Sequence, residues 1–350
     1  MDVRLSDEQR ALRDSAAQMV DRLGPRRVAD LTDMERAAKL DAAVEASGWR
    51  ELRAPAEDGA PWASAVEAAT VAEELGRGLA DTAFLGPTLA AELRRLTGAP
   101  PAPGRETVAL TPTLSAPADA VDGSLPGGAV AVDARGSTAA LVLVPATAGH
   151  ALGQVALDQA EQGVDLTRPV AVVKPGTPVV LLPEVVRPVT SAGLKAWTAL
   201  GLALSCADLV GTMRGAVQLA CEYAATRRQY GVAIGSFQAI QHLLADAFVS
   251  MEGSRSVALH AAWGVDALPP ADALAAASLA KAYCARAGRT VGEMAIQVHG
   301  GIGNTWECLA HVHLRRALVS GDVLGDVGAS LVRVLDHHRI GAETMPVPHH

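Results

Sequence analysis

The sequence is poor in aromatic residues, in cysteine and in basic charge. Only 3% of its 350 residues are aromatic while 49% are hydrophobic, so alanine, leucine and valine must build the core, and the alanine content favours helices. The four cysteines are far apart and form no Cys-x-x-Cys pair, which indicates buried thiols in a reducing compartment rather than disulfides or zinc ligands. A formal net charge of -8 argues against a nucleic-acid-binding surface.

Two targeting features are absent as well. Charged residues begin at Asp2 and continue through Arg13, a pattern unlike a secretory signal peptide. No uncharged apolar run reaches the roughly 18 residues that a transmembrane helix requires. We therefore expect a cytoplasmic protein without a membrane span.

The distribution of residue types predicts three domains and a short tail. Residues 1–104 show helical periodicity, which opens with a capping box at Ser6-Asp-Glu-Gln9 and closes with a linker rich in proline and glycine. Residues 105–193 contain short valine-rich runs separated by Gly, Pro and Asp, a texture that predicts a small β-barrel or sandwich. Residues 194–340 return to helical periodicity, and residues 341–350 form a tail that we expect to be disordered.

The C-terminal domain is predicted to be an antiparallel four-helix bundle, because four long helical segments follow one another with short connections. The overall fold class is therefore α+β and mostly α. The four predicted helices span about 194–227, 237–265, 271–298 and 306–338.

A glycine-rich turn, Gln297-Val-His-Gly-Gly-Ile-Gly-Asn-Thr-Trp-Glu307, separates the last two of these segments. Glycine adopts positive φ freely and lets other groups approach the backbone closely. Such a turn between helices can present backbone N–H groups to a phosphate. A purely structural packing turn is the alternative, and the residues alone favour it.

A second unusual stretch, Arg227-Arg-Gln-Tyr-Gly231, ends the first bundle helix. Cations at a helix C-terminus are stabilised by the helix dipole in any protein. Arginine also binds phosphate through its planar guanidinium group. The residues by themselves leave both interpretations open.

Taken together, the two stretches resemble the two sequence signatures of the acyl-CoA dehydrogenase family. Arg227-x-x-Tyr-Gly231, followed by Phe237-Gln238 and Gln241-His242, resembles one of them. The glycine turn from Gln297 to Glu307, followed by Leu314-Arg-Arg-Ala317, resembles the other. Their order and spacing match the family, as does the order of the domains. Three further stretches resemble family features: Gly48-Trp49, Glu73-Glu-Leu-Gly-Arg77 and Asp165-Leu-Thr-Arg168.

The resemblance implies an FAD-dependent oxidation of an acyl-CoA thioester between Cα and Cβ. It also implies a tetramer in which FAD lies at a subunit interface, with an electron-transferring flavoprotein as electron acceptor. No metal is expected, and a ferritin-like di-metal bundle is disfavoured because the Glu-x-x-His pair is missing. By match to the signatures, the residues implied to bind the ADP half of FAD are Arg227 at the pyrophosphate, Tyr230, Gln238, Gln297, Gly300 and Gly301.

The catalytic base of the family is missing from its usual position. The reaction requires a base that removes the α-proton while hydrogen bonds hold the thioester carbonyl. Aligned on Gly325, the position of the usual glutamate is Leu324, which cannot accept a proton. The alternative glutamate position on the first bundle helix falls at about Gly201. The nearest acids, Asp322 and Asp326, are out of register by two residues, and solvated or capping roles are favoured for both.

The predicted β domain also departs from the family pattern. Typical members have a tryptophan element that covers the flavin ring, whereas this chain has no tryptophan between Arg105 and Glu184. Both departures fit the non-catalytic subunit of a heteromer, similar to actinobacterial α2β2 enzymes that oxidise steroid side-chain CoA esters. Two alternatives remain open. One is a self-sufficient homotetramer with Asp322 or Asp326 as base, and the other is a flavin-free structural or acyl-CoA-binding paralogue.

Overall fold

The N-terminal part of the chain is helical, and it begins with the predicted capping box. In the computed structural model, which describes residues 4–183 and 185–340, the Ser6 hydroxyl accepts a hydrogen bond from the Gln9 N–H at 3.2 Å. The Gln9 side chain accepts one from the Ser6 N–H at 3.0 Å, so both free N–H groups are satisfied. The predicted tail, 341–350, lies outside the described residues. The helices of this part are α1 Asp7–Leu23, α2 Met34–Ala46, α3 Ala65–Arg77 and α4 Leu85–Thr97.

A small mixed sheet follows the linker. Its strand order is β6-β3-β1-β4-β5-β8, and a separate two-stranded ribbon joins β2 to β7. The pair β1 and β4 is parallel, and the other pairs are antiparallel. The strands are β1 Glu106–Leu110, β2 Ser124–Leu125, β3 Ala129–Ala131, β4 Ala139–Ala146, β5 Gly149–Ala156, β6 Ala171–Val173, β7 Thr177–Pro178 and β8 Val180–Leu181.

The bundle is organised around its first helix, α5. This helix is long and apolar enough to cross a membrane by length and composition alone, but 89% of its most apolar 18-residue window is buried inside the protein. It is therefore the core helix of the bundle. The helices of the bundle are α5 Ser191–Thr226, α6 Gln238–Ala267, α7 Pro270–His299, α8 Ala310–Asp322 and α9 Val327–His338.

The prediction of one fourth helix over 306–338 was wrong, because this member of the bundle is two helices. The chain leaves the helical conformation after Asp322: Leu324 has φ +61° and Gly325 has φ +108°. The Asp326 carboxylate then accepts a hydrogen bond from the Ala329 N–H at 2.8 Å and caps α9. The local backbone conformation sets this break between α8 and α9. Hydrophobic periodicity does not reveal that conformation.

A tight hairpin connects α5 to α6. Its strands are β9 Arg228–Gln229 and β10 Val232–Ala233. The two turn residues, Tyr230 and Gly231, have φ of 50° and 83°, the geometry of a two-residue hairpin turn with positive φ at both positions. The turn projects Tyr230 into solvent.

Candidate functional site

One end of the bundle brings the two predicted signatures together. The C-terminus of α5 and the N-terminus of α6 meet there through the short hairpin. The C-terminus of α7 joins them, because the Tyr223 ring of α5 stacks on the His299 ring with centroids 4.5 Å apart. The arginine signature and the glycine turn therefore occupy the same end of the molecule, hereafter the ADP end.

The residues assigned to ADP by resemblance are all exposed at this end. Tyr230 is the extreme case, with 95% of its surface exposed, and its ring packs edge-on against Phe237. Within the part of the chain that the structure describes, no hydrogen bond or ion pair engages the side chains of Arg227, Gln238 or Gln297. These three polar groups are free to bind a ligand, and their assignment to ADP stays a prediction.

The glycines of the turn have two different roles. A Cβ added to Gly303 would lie 2.8 Å from the Ile296 carbonyl oxygen, so Gly303 is a packing glycine. A Cβ added to Gly300 or Gly301 would meet nothing within 4 Å. Gly300 also adopts φ 63° and ψ −143°, a region open almost only to glycine. The packing interpretation thus holds for one glycine, while the adjacent pair leaves open space at the backbone where a phosphate can approach.

The two positions expected for a catalytic base lie in contact with each other. Leu324 is fully buried, and a Cβ added to Gly201 would clash with its Cδ1 atom. Both methyl groups of Leu89 would lie 3.4 Å from the same Cβ. The place where the resemblance implies a carboxylate is therefore filled with packed hydrocarbon, and neither residue can accept a proton.

A turn of the β domain closes over this place. The Leu324 N–H donates a hydrogen bond of 2.7 Å to the Leu114 carbonyl oxygen, and Arg333 Nη2 donates one of 3.3 Å to the Ser115 carbonyl oxygen. Leu114 itself has φ +58°, an unusual conformation for a residue with a branched side chain. The β domain and the bundle are thus joined directly at Leu324, the position expected for the base.

The two alternative acids occupy structural positions. Asp326 is exposed and caps α9, so its carboxylate already binds a backbone N–H group. Asp322 is exposed at the end of α8. Partial burial raises the pKa of Asp322, the nearby Lys281 opposes that shift, and Asp326 adds to it. The capping interpretation fits Asp326.

One buried polar cluster was not predicted from the sequence. It centres on Asp208 of α5, whose carboxylate accepts hydrogen bonds from Arg316 Nε at 3.0 Å and Nη2 at 2.7 Å and from the Ser320 hydroxyl at 2.6 Å. Arg168, from the loop between β5 and β6, lies 3.3 Å from the same carboxylate. Burial alone would raise the pKa of Asp208, but Arg168 and Arg316 outweigh it and hold the pKa below its usual value.

This cluster connects all three domains. Arg316 also donates to the Ala80 carbonyl oxygen at 2.9 Å and to the Thr167 hydroxyl at 2.8 Å, while Arg168 is paired with Asp165 at 2.7 Å. The stretch from Asp165 to Arg168 therefore anchors the β domain to the bundle. A sequence signal existed: Asp208 lies deep in an apolar helix, and a buried acid requires a cationic partner.

Comparisons with known proteins agree with this arrangement. The N-terminal domain model of acyl-CoA dehydrogenases matches residues 6–94, and the C-terminal domain model matches residues 200–325. Acyl-CoA dehydrogenase IpdE2 of Mycobacterium tuberculosis is 32% identical over 333 residues, which cover 91% of this chain and 93% of that protein. The IpdE2 of Mycolicibacterium smegmatis is 30% identical over 300 residues, which cover 83% and 84%.

Solved structures show the same fold. The Tcur3481-Tcur3483 steroid ACAD G363A variant superposes with a TM-score of 0.80 at 22% identity, covering 97% of this chain and 99% of that one. The ChsE4-ChsE5 complex from Mycobacterium tuberculosis superposes with a TM-score of 0.76 at 23% identity, covering 99% and 100%. The helical domain, sheet and bundle thus define an acyl-CoA dehydrogenase fold. The chain belongs to the acyl-CoA dehydrogenase family of oxidoreductases.

Proposed function

We propose that this chain is the subunit without a catalytic base in a heteromeric acyl-CoA dehydrogenase. In this assembly it lends its ADP end to an FAD whose flavin ring and base lie in a partner chain. The chemistry that bound FAD would supply is a flavin acceptor for the hydride from Cβ of the acyl-CoA. The observation that carries the proposal is the contact between Leu324 and Gly201, because it fills both expected base positions with apolar groups.

The two halves of the predicted site differ in exposure and polarity, and this difference supports the proposal. At the ADP end the polar side chains are exposed and unpaired, and the paired glycines leave the backbone open. At Leu324 the chain is closed and apolar. The two places are well separated. Lys281, which binds the end of α8 next to Leu324, lies 16 positions before Gln297 on α7, a distance of about 24 Å along a helix. One half can therefore serve a cofactor while the other stays closed.

The nature of the assembly is part of the proposal. Both solved structures named above are named for two gene products, and one of them is named a steroid enzyme. We therefore propose an α2β2 tetramer that oxidises a bulky, steroid-type acyl-CoA, with an electron-transferring flavoprotein as acceptor. Exposed apolar side chains on α6 and α7 favour a partner surface on the bundle: Phe248, Val249, Leu279 and Tyr283.

The proposal is tested by expressing the chain alone and together with a candidate catalytic chain. Alone, it should purify without flavin absorbance and should not reduce a dye with acyl-CoA. With its partner, the complex should be yellow and active. A yellow homo-oligomer of this chain that reduces the dye would instead establish the self-sufficient enzyme. If the chain contributes to flavin binding with none of the partners, the flavin-free paralogue would be the remaining interpretation.

A variant sharpens the test of the ADP end. In the complex, Arg227→Ala should lower the flavin content, because it removes the cation proposed to pair with the pyrophosphate. Arg289→Ala is the matched control, since Arg289 is exposed on α7 and, among the residues that the structure describes, pairs only with its neighbour Glu293 at 2.9 Å. Equal flavin content in the two variants would contradict the assignment of Arg227.

A further inference from the structure

Lys281 is a buried lysine with an unusual set of partners. It lies on α7 with no solvent exposure. Its Nζ donates two hydrogen bonds of 2.6 Å each, to the carbonyl oxygens of Ser320 and Val323. No ion pair with a carboxylate is formed by Lys281 within residues 4–183 and 185–340. Burial of an ammonium group is unfavourable unless its hydrogen bonds are satisfied. The burial of Lys281 therefore depends on the two carbonyl oxygens that it binds, and their place in the fold matters.

Both carbonyls belong to the end of α8. The last carbonyl groups of a helix lack partners within the helix, and α8 ends at Asp322. Lys281 supplies the missing donors from a neighbouring helix. A cation at this point is also favoured by the dipole of α8.

The residue that follows these carbonyls is Leu324. Its φ of +61° is unfavourable for a residue with a Cβ and persists only where surrounding contacts hold it. Three contacts do so in this fold. Lys281 binds the chain just before Leu324, the Leu114 carbonyl accepts its N–H, and the space beside Gly201 takes its side chain.

We infer that Lys281 is a positioning residue that keeps the acyl site of this chain closed, by fixing the end of α8 so that Leu324 lies beside Gly201. The inference rests on the proposed function, since it explains how the site without a base is sealed. It assigns the closure to one named residue, because none of the residues assigned by resemblance makes this contact.

The closure does not depend on the charge of Lys281. Burial lowers the pKa of Lys281 to about 8, and Cys206 of α5, Asp322 of α8 and Cys284 of α7 oppose that shift, while Arg333 of α9 adds to it. A neutral amine still has two N–H donors, which match the two carbonyl oxygens. The contact is therefore expected to hold in both protonation states, and we do not expect a pH-operated switch.

Hydrogen–deuterium exchange of the full-length protein tests the inference. In Lys281→Met, the backbone amides of residues 323–325 should exchange at least tenfold faster than in the wild type, while amides of α5 keep their protection. Lys195→Met, which changes an exposed lysine on α5, should alter neither. A residue that only adds to global stability would speed exchange throughout the bundle. That result, or unchanged exchange at 323–325, would overturn the inference.

A second measurement on the wild type covers the case in which Lys281→Met does not fold. The chain has four lysines, of which Lys39, Lys174 and Lys195 are exposed. Acetylation of the native protein, read by mass spectrometry, should modify these three and leave Lys281 unmodified until the protein unfolds. Modification of Lys281 at the rate of the other three would contradict the buried contact.

Titration with ADP separates this inference from the proposed function. Because the ADP end lies about 24 Å away along α7, Lys281→Met should bind ADP as the wild type does. If the wild-type protein binds no ADP, alone or in the complex, that result counts against the proposed function. The hydrogen–deuterium exchange result then still tests the positioning role of Lys281 independently. Loss of ADP binding only in Lys281→Met would show a global effect and overturn the positioning role.

Discussion

The side chain of Leu324 fills the space that the missing Cβ of Gly201 leaves on α5. A Cβ at position 201 would clash with Leu324 Cδ1, and Leu324 has no exposed surface. The two residues are 123 positions apart in the chain, and they are the two positions at which the resemblance to the family predicts a catalytic glutamate. A leucine packed on a glycine forms a closed apolar contact there.

Leu324→Ala should destabilise the protein by about 2–5 kcal/mol, because it removes buried methyl groups and leaves a cavity beside Gly201. Urea unfolding measures the change. Leu331→Ala on α9 makes the same chemical change at a partly exposed position and should cost clearly less. Equal losses for the two variants would mean that Leu324 is not packed as described.

Gly201→Ala should reveal the contact by double-mutant analysis. Its methyl group overpacks the site, at a cost of about 1–3 kcal/mol, and the better helix propensity of alanine offsets about 1 kcal/mol of that. Combined with Leu324→Ala, the added methyl group fills part of the new cavity. The double variant should therefore be more stable than the sum of the single effects by at least about 0.5 kcal/mol.

Gly211→Ala is the control for this cycle. A Cβ at Gly211 would clash with the backbone carbonyl of Glu73, an atom that Leu324→Ala does not move. Gly211→Ala and Leu324→Ala should therefore be additive within about 0.5 kcal/mol. Additivity in the Gly201 cycle as well would contradict the packing of Leu324 on Gly201.

Part of this architecture could be predicted from local sequence. The capping box at Ser6 was confirmed because both of its hydrogen bonds form within four residues. The valine-rich runs became strands β1, β3, β4, β6 and β8 for a similar local reason. Strand β5, Gly149–Ala156, was missed because its sequence, with two glycines, has little intrinsic β preference, and its pairing with β4 along all eight residues decides its structure.

The candidate site shows the limit of local patterns more clearly. Resemblance indicated that Leu324 cannot act as a base, but it did not indicate that Leu324 and Gly201 touch. That contact follows the break between α8 and α9, which lies next to the carbonyl groups that Lys281 binds from about 40 positions away in the sequence. Asp208 was overlooked for the same reason, because its arginine partners are 40 and 108 positions away in sequence.

Asp208→Asn should be strongly destabilising, by about 3–5 kcal/mol, because it leaves the buried charges of Arg316 and Arg168 without their shared carboxylate. Unfolding in urea at pH 7 measures the loss. Glu293→Gln is the matched control, since it breaks an exposed pair with Arg289 and should cost less than about 1 kcal/mol. A small effect of Asp208→Asn would mean that the cluster does not hold the domains together.

His313 should make the protein sensitive to acid. Burial on α8 lowers the pKa of His313 from 6.5 to about 3, and the charge of Arg316 adds to this shift. Between these two pH values the unfolded chain binds a proton that the folded chain rejects. The free energy of unfolding therefore falls as the pH decreases from about 6.5 towards 3, by up to about 1.4 kcal/mol per pH unit from this residue.

The variant His313→Gln should remove this contribution. Glutamine keeps a polar side chain at this position but does not titrate. Urea unfolding at pH 7, 6, 5 and 4 should show that the stability advantage of the wild type over His313→Gln shrinks below pH 6.5, since only the wild type suffers the proton penalty. His260→Gln, at an exposed position on α6, should follow the wild type at every pH. If the stability of His313→Gln also follows that of the wild type at every pH, His313 titrates normally in the folded protein and is not held neutral by burial.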